Sequence, residues 1–425
     1  MIKPTRHRHV GHVSAAGLVL STVLPMLAAF AVPDPAQAGQ EAVIDGVVHV
    51  ANSDEPSEGV QTFRLEELWS VGGEDSEDTI FGVIGQIFED DGNIYLLDTQ
   101  LSEIKVFTHD GQALDVLGRE GDGPGEFRGP ADMCLLPDGT IGVLQGFPGK
   151  VIKLALDGTP AGVWNLGDPS QGSFYFMSAL NQGNGTVVAG GVQQTIDQGA
   201  GTMHRERFLS SIGQDGLRDV TYVSVPVIQQ LNDLRVDELE IIDGPDRRFD
   251  ITTTGLTVVG IPRNEYEVSI FAADGTLERV FTREYASWPR NERAAGIWQR
   301  VMENIRDNIV PGAPASWEDT EPDIEFLQTA ADGSIWILNS RSMWEPPEGV
   351  FTCYDVFTPD GHYQKEVRVV CPGDPTVDLL FYSGGDRAFM VTDFWDAALG
   401  QFGGDGSDEG DEDIEPMKVI CYRVG

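Results

Sequence analysis

The feature that most constrains this fold is an internal repeat whose units contain Asp-Gly turns. Residues 84–118 align with residues 131–166 with one gap, and Gly111 then matches Gly158. Each unit consists of short stretches of alternating apolar and polar residues separated by Asp-Gly pairs. This pattern predicts antiparallel hairpins, because Asp and Gly tolerate the positive φ angles of tight hairpin turns. Each unit is therefore predicted to be a four-stranded antiparallel meander.

The same pattern recurs with larger loops over residues 174–225, 248–283 and 324–370, and again from residue 378 to the end of the chain. The last unit has only three strands. A fourth strand is available at Thr62–Val71, which precedes the first unit and has no hairpin partner there. Six meanders closed by an N-terminal strand predict an all-β protein, a six-bladed β-propeller.

The end of the first unit, Gly118–Phe127, reads GREGDGPGEF and is followed by a PDG triplet at 137–139. These segments, with the run Asp91–Phe107, resemble the NHL-type propeller repeat. The match is close over residues 84–158 and weaker beyond, and Gln145 stands where the family usually has an Asp at the end of a strand. The resemblance implies a six-bladed ring. It implies no single activity, because NHL-like propellers serve as binding scaffolds, lyases and hydrolases.

The first 38 residues have the layout of a secretory signal. A basic start is followed by an apolar run over residues 13–32 and by a small-x-small site at Ala36–Ala38. We expect cleavage after this site, a secreted or periplasmic protein, an N-terminal extension over 39–61 and a propeller over 62–425. The alternative is a retained membrane anchor, because the apolar run is nearly long enough to span a bilayer.

The charge of the chain excludes several partners. It has 28 Lys and Arg against 68 Asp and Glu, a formal net charge of −40. Such a charge repels nucleic-acid backbones and anionic membrane surfaces. Hydrophobic residues make up 41% of the chain, which is enough for a large core. We therefore expect a protein that binds no nucleic acid. We also expect a monomer, and no membrane span once the signal is removed.

The insertions indicate which face of the ring carries function. In a propeller, one face holds the connections between blades and those between the second and third strands of each blade. The long connections of this chain all fall in these two classes, over residues 194–202, 226–246, 286–323, 343–349 and 396–416. Long loops on a rigid scaffold are where binding sites concentrate. This long-connection face is therefore predicted to bind the ligand.

One helix is predicted within this face, over residues 291–310, from apolar residues at three- and four-residue spacing. Its Trp298 and Arg300, together with Trp344 and Trp395, are candidate ligand-binding residues, because exposed aromatic rings suit the recognition of sugars or peptides. The alternative is structural: the helix covers apolar loop surface, and the tryptophans fill the spaces between blades.

The loop over residues 403–416 is strongly acidic and glycine-rich. Flexible, oxygen-rich loops suit Ca²⁺, which makes calcium a possible cofactor. The EF-hand spacing is not met, and a run of like charges is more often a solvated segment. The weak candidate metal ligands in this loop are Asp405, Asp408, Asp411 and Asp413.

Cys353 and Cys371 flank the Asp360-Gly361 turn on the third and fourth strands of the fifth unit. Cys421 lies on the next blade, and a disulfide between two of these three cysteines is possible in an oxidising compartment. Cys353 and Cys371 are the first candidate pair, because adjacent strands could place them opposite each other. Cys134 is predicted to be a small core residue in the innermost strand of the second blade.

Two functions follow from these patterns. The first is an extracytoplasmic binding scaffold whose long-connection face holds a small molecule, a carbohydrate or a protein or peptide partner. The alternative is a lactonase-like hydrolase or a lyase assisted by a divalent ion such as calcium. Only His49, His109, His204 and His362 follow the signal, which is too few at one place for a histidine-built zinc site, and no nucleophile motif is present. The catalytic residues of an enzyme of this kind remain unassigned.

Overall fold

The computed structural model describes residues 39–73, 79–167, 173–244, 248–382, 385–401 and 416–424. Four strands precede the first repeat: β1 (Gln40–Ile44), β2 (Val47–Asn52), β3 (Val60–Arg64) and β4 (Glu66–Gly72). Blade 1 contains β5 (Ile84–Asp90), β6 (Asn93–Asp98), β7 (Glu103–Thr108) and β8 (Ala113–Leu117). Blade 2 contains β9 (Pro130–Leu135), β10 (Ile141–Gln145), β11 (Lys150–Leu154) and β12 (Pro160–Asn165). Blade 3 contains β13 (Ser173–Gly183), β14 (Thr186–Asp197), β15 (Thr202–Ile212) and β16 (Arg218–Gln230).

The second half of the chain adds three blades and four helices. Strand β17 (Val236–Asp237) and helix α1 (Glu238–Ile241) lead into blade 4, which contains β18 (Phe249–Ile251), β19 (Thr257–Val259), β20 (Glu267–Phe271) and β21 (Leu277–Arg283). Helix α2 (Glu292–Ile309) and β22 (Ala315–Ser316) precede blade 5, formed by β23 (Ile324–Thr329), β24 (Ile335–Asn339), β25 (Thr352–Phe357) and β26 (Tyr363–Val370), with α3 (Ser340–Trp344) after β24. Blade 6 contains β27 (Leu379–Tyr382), β28 (Arg387–Val391) and β29 (Lys418–Arg423), with α4 (Phe394–Gln401) after β28.

The sheet topology confirms the predicted six-bladed β-propeller. Each blade is an antiparallel meander, and the innermost strands β5, β9, β13, β18 and β23 contact one another in sequence order. Strand β4 pairs with β29 and completes blade 6, as predicted. Apolar side chains fill the spaces between blades; Leu97, Phe127 and Ile141 belong to the cluster between blades 1 and 2.

The N-terminal strands add a feature that the sequence did not predict. Strand β2 pairs in parallel with β21 at the edge of blade 4, and β3 pairs in parallel with β26 at the edge of blade 5. The predicted strand over Thr62–Val71 is therefore divided between β3 and β4. We call residues 39–64 the N-terminal belt, because they cross the outer edges of two blades before β4 closes the ring.

The Asp-Gly turns between the third and fourth strands have a second role. At Gly361 the φ angle is +78°, and a Cβ atom would lie 2.7 Å from the ring of Phe281 in blade 4. Glycine is thus required for both the turn and the close approach. The equivalent glycines also contact the preceding blade: Gly111 contacts Trp69, Gly158 contacts Leu117, Gly216 contacts Trp164 and Gly275 contacts Val220.

The connections between strands differ in length as predicted. Turns between the first and second strands, and between the third and fourth, are short throughout the described blades, whereas α1, α2, α3 and α4 all lie in the other two classes of connection. The predicted helix over 291–310 is α2, whose N-cap Asn291 accepts a hydrogen bond from the N–H of Ala294. In the part of the chain that the structure describes, no helix is long and apolar enough to span a membrane.

Candidate functional site

A buried cluster of charges anchors the two longest connections of the long-connection face. Glu238 at the start of α1 is 1% exposed and accepts two hydrogen bonds from Arg290, at 2.6 and 2.8 Å. Arg263 donates to the same carboxylate at 2.8 Å. Burial opposes the charge of Glu238, but the hydrogen bond from Arg290 and the attraction of Arg263 hold its pKa below the ordinary value.

Trp298 of α2 belongs to this cluster. Its Nε1 donates to Oε1 of Glu321 at 2.6 Å, and its ring lies 4.7 Å from the guanidinium of Arg290. Arg290 also pairs with Glu321 at 2.9 Å. Trp298 therefore holds α2 against Glu321 within the connection between blades 4 and 5, and Arg290 joins this connection to Glu238 in the connection between blades 3 and 4.

The other predicted ligand-binding residues are Trp344, Trp395 and Arg300. Trp344 stacks parallel to Trp288 with ring centroids 6.2 Å apart, and Trp395 packs edge-on against its neighbour Phe394. Arg300 is exposed on α2. The candidate metal ligands Asp405, Asp408, Asp411 and Asp413 lie outside the described residues.

The cysteines are free thiols in the structure. Cys353 on β25 lies opposite Arg368, and Cys371 follows the last residue of β26. The two cysteines are therefore not opposite each other, which was the geometric reason for expecting a bridge. Cys134 is buried in β9, as predicted for a core residue.

Two carboxylates connect the innermost strands around the axis of the ring. Asp132 on β9 accepts hydrogen bonds from Nε2 of Gln86 in blade 1 at 3.0 Å and from the N–H of Leu180 in blade 3 at 2.8 Å. Asp250 on β18 accepts from Nδ2 of Asn181 in blade 3 and from the N–H of Thr329 in blade 5, both at 2.5 Å. Both carboxylates accept from the protein itself, which makes this set a link between blades.

These two carboxylates make stability depend on pH. Burial raises the pKa of Asp132 and the pKa of Asp250 to about 6, despite the N–H groups that face them. The folded state then binds more protons than the unfolded state between about pH 4 and pH 6, so the free energy of unfolding falls as the pH rises through this window. The expected loss is on the order of 3 kcal/mol per carboxyl.

Urea denaturation at a series of pH values measures this slope. We expect Asp132→Asn with Asp250→Asn to flatten it, because an amide does not titrate, while the exposed control Asp233→Asn keeps it. An unchanged slope in the double variant would contradict the assignment.

The cavity of most interest lies in the groove between blades 4 and 5. It has a volume of about 500 Å³ and is lined by Asp54, Arg283, Glu284, Tyr285, Ala286, Asn339, Arg341, Ser342 and Glu366. The N-terminal belt supplies Asp54, and the connection after blade 4 supplies Glu284, Tyr285 and Ala286. Helix α3 supplies Arg341 and Ser342. The volume of this cavity is in the usual range for a small-molecule site, and its lining is more polar than is usual for such a site.

Asp355 organises the inner wall of this cavity. It is 1% exposed, and its Oδ2 accepts from Arg283, Asn339 and the hydroxyl of Tyr266 at 2.7–2.8 Å. Its Oδ1 accepts from the hydroxyl of Tyr363 at 2.7 Å. Burial opposes the charge of Arg283, but Asp355 holds its pKa above the ordinary value, so this guanidinium stays charged and fixed.

Tyr285 and Arg341 form the outer wall. The hydroxyl of Tyr285 lies 3.0 Å from Oγ of Ser340 and accepts from the backbone N–H of Arg341 at 3.0 Å. The guanidinium of Arg341 lies 5.6 Å from the Tyr285 ring and donates to the carbonyl of Ala286 at 3.2 Å. Arg341 is exposed, so its remaining N–H groups can reach a ligand.

Among the described residues, no group of three or more His, Cys, Asp or Glu side chains could hold a metal ion. The cavity thus offers hydrogen-bond donors, acceptors and an aromatic ring.

Comparisons with known proteins agree on the fold. A family model described as a 6-bladed beta-propeller matches residues 45–177. No curated protein matches the sequence. The chain is similar to the solved structure of a DUF4221 family member from Bacteroides vulgatus ATCC 8482, with 14% identity, a TM-score of 0.45 and coverage of 85% of this chain and 98% of that one.

Two further solved structures are similar at a comparable level. Virginiamycin B lyase from Staphylococcus aureus shares 11% identity with a TM-score of 0.38, over 85% of this chain and 99% of that one. The calcium-binding protein regucalcin from Agrobacterium tumefaciens C58 shares 11% identity with a TM-score of 0.40, over 86% of this chain and 95% of that one. Likenesses at this level carry no argument about activity.

Proposed function

We propose that this chain is an extracytoplasmic binding propeller that holds a small, hydroxyl-rich ligand, of the carbohydrate class, in the cavity between blades 4 and 5. The observation that carries the proposal is the convergence of Tyr285, Asn339 and Arg341 on one cavity of about 500 Å³. Their positions are set by hydrogen bonds to one another and to the buried Asp355. Polar groups that are held in place before binding lose little entropy when the ligand arrives.

The lining favours a neutral, hydroxyl-rich ligand. Arg341 and Asn339 donate hydrogen bonds, whereas the carboxylates of Asp54 and Glu284 accept them. A sugar hydroxyl does both and can use either kind of partner. Tyr285 supplies an aromatic surface for the C–H groups of a sugar ring. The presence of both charges disfavours a strongly charged ligand, because each would meet one repulsive partner.

The sequence of residues 1–38 supports a place outside the cytoplasm. Its basic, apolar and small-residue segments follow the order of a secretory signal. The mature protein would begin at Gly39, one residue before β1. Mass spectrometry of the exported protein reads this terminus directly, and a mass that retains residues 1–38 would contradict the proposal of cleavage.

Titration calorimetry with glucose, maltose and cellobiose tests the cavity. We expect at least one of these sugars to bind the chain that begins at Gly39, and Arg341→Ala to weaken that binding about tenfold, the cost of one charge-assisted hydrogen bond. The matched control is Arg300→Ala, an exposed arginine on α2. Equal affinities in the two variants would place the sugar elsewhere, and no binding of any of the three would refute the carbohydrate class.

A further inference from the structure

Blade 3 rises above the rest of the ring on the long-connection face. Its strands have 11, 12, 11 and 13 residues, whereas those of blades 1 and 2 have five to seven. The predicted insertion over residues 194–202 is mostly strand, because β14 continues to Asp197 and β15 begins at Thr202. The extra length adds a strip of sheet to blade 3 on the long-connection face.

Three exposed phenylalanines meet at the inner edge of this strip. Phe147, from the connection between β10 and β11, stacks on Phe176 with ring centroids 4.9 Å apart and lies 6.5 Å from Phe174. Their exposed fractions are 52% for Phe147, 46% for Phe174 and 41% for Phe176. We call these residues the aromatic triad. Clustered apolar surface that stays exposed at a loop-rich face marks a binding surface.

The strand register of blade 3 places Arg205 on the same face of the sheet as Phe174, two strands away. Phe174 pairs with Gln194, which pairs with Arg205. Directly paired residues of an antiparallel sheet point to the same face. Neighbouring strands are roughly 4.8 Å apart, so the backbone positions of Phe174 and Arg205 are separated by about 10 Å.

Among the residues that the structure describes, Arg205 forms no ion pair with a carboxylate, which is unusual in a chain with 68 acidic residues. Its Nε is buried and makes no hydrogen bond among the described residues. The side chain is only partly exposed. Burial and the charge of Arg207 lower the pKa of Arg205, and the attraction of Glu240 opposes them. A partly desolvated cation of this kind gains more from an anion than a fully solvated one does.

We propose that the aromatic triad and Arg205 form a second site, which binds a small amphipathic carboxylate. An aromatic ring of the ligand packs on Phe147, Phe174 and Phe176, and its carboxylate pairs with the Arg205 guanidinium. The length of such a ligand is set by the spacing of about 10 Å across three strands. Charge complementarity at Arg205 specifies the anion, and the exposed rings specify the apolar end. This site is independent of the cavity between blades 4 and 5.

The probes are 4-phenylbutyrate, its uncharged amide 4-phenylbutanamide, and butyrate, followed by saturation-transfer NMR and titration calorimetry. We expect 4-phenylbutyrate to bind more tightly than either of the others, and its affinity to fall as salt is added. Arg205→Gln should weaken 4-phenylbutyrate about tenfold and leave the amide unchanged, whereas Phe174→Ala should weaken both.

The controls separate this site from the rest of the molecule. Arg205→Lys keeps the charge and should retain part of the selectivity for the carboxylate, because a lysine cannot offer the same paired donors. Arg341→Ala alters the other cavity and should leave 4-phenylbutyrate binding unchanged. Absence of 4-phenylbutyrate binding at millimolar concentration would overturn the proposal, as would equal affinities for the acid and the amide. Circular dichroism of each variant establishes that the fold is retained.

Discussion

Replacing Asp355 by alanine is expected to lower the free energy of unfolding by about 3–5 kcal/mol, the usual cost of removing one partner of a buried ion pair. The change leaves Arg283 charged and buried beside blade 5. It also leaves the hydroxyls of Tyr266 and Tyr363 and the amide of Asn339 without their acceptor. The midpoint of urea denaturation measures the loss.

The conservative variant Asp355→Asn separates charge from hydrogen bonding. It keeps one acceptor oxygen and the side-chain volume, so its loss should be smaller than that of Asp355→Ala. Tyr363→Phe removes a single neutral hydrogen bond and should cost only about 1 kcal/mol. The exposed Asp233→Ala serves as the control. If Asp355→Ala were no more costly than this control, the network would have no role in holding blades 4 and 5 together.

Replacing Glu238 by alanine is expected to lower the free energy of unfolding by about 3–5 kcal/mol and to release helix α2. Arg290 and Arg263 would lose the carboxylate that both contact, and the N–H of Glu318 would lose its acceptor. Two buried guanidinium groups would then share the remaining carboxylates of Glu321 and Asp243. Urea denaturation measures the stability.

Limited digestion with trypsin tests the release of α2. The helix carries exposed arginines at 293 and 300, which become cleavable only when the backbone leaves its helical form. We expect rapid cleavage at these sites in Glu238→Ala and slow cleavage in Glu292→Ala, an exposed glutamate in the first turn of the same helix. Removing Arg290 as well should recover part of the lost stability. Identical digestion of the two glutamate variants would show that the cluster does not anchor α2.

The ring could be predicted from the sequence because its signals are local. Asp-Gly pairs at hairpin turns recur in blades 1 to 5, alternating apolar residues recur along the chain, and the apolar spacing of 291–310 identified α2. The N-terminal belt could not be predicted in this way. Strands β2 and β3 pair in parallel with strands more than two hundred residues away, and no turn residue marks such a pairing.

The candidate sites were harder to predict than the fold. The cavity draws Asp54, Arg283 and Arg341 from separate parts of the chain, and none belongs to a motif. The predicted tryptophans proved to be packed against other rings or bonded to carboxylates, as Trp298 is. One usable signal was present for the aromatic triad. The third unit is longer than the others, so the alternating Phe174 and Phe176 could have been assigned to a strand that extends beyond the core.

The N-terminal belt also constrains when the protein can fold. Asn52 donates to the carbonyl of Gly361 and accepts from the N–H of Tyr363, residues that follow it by 309 and 311 positions. Strand β4 pairs with β29, which lies more than 340 residues later in the sequence, so it cannot complete blade 6 before β29 exists. A ribosome produces these N-terminal strands before their partners, so the ring can close only after β29 has been made. Until then β2, β3 and β4 each have a strand edge without its native partner, and such edges are prone to aggregation.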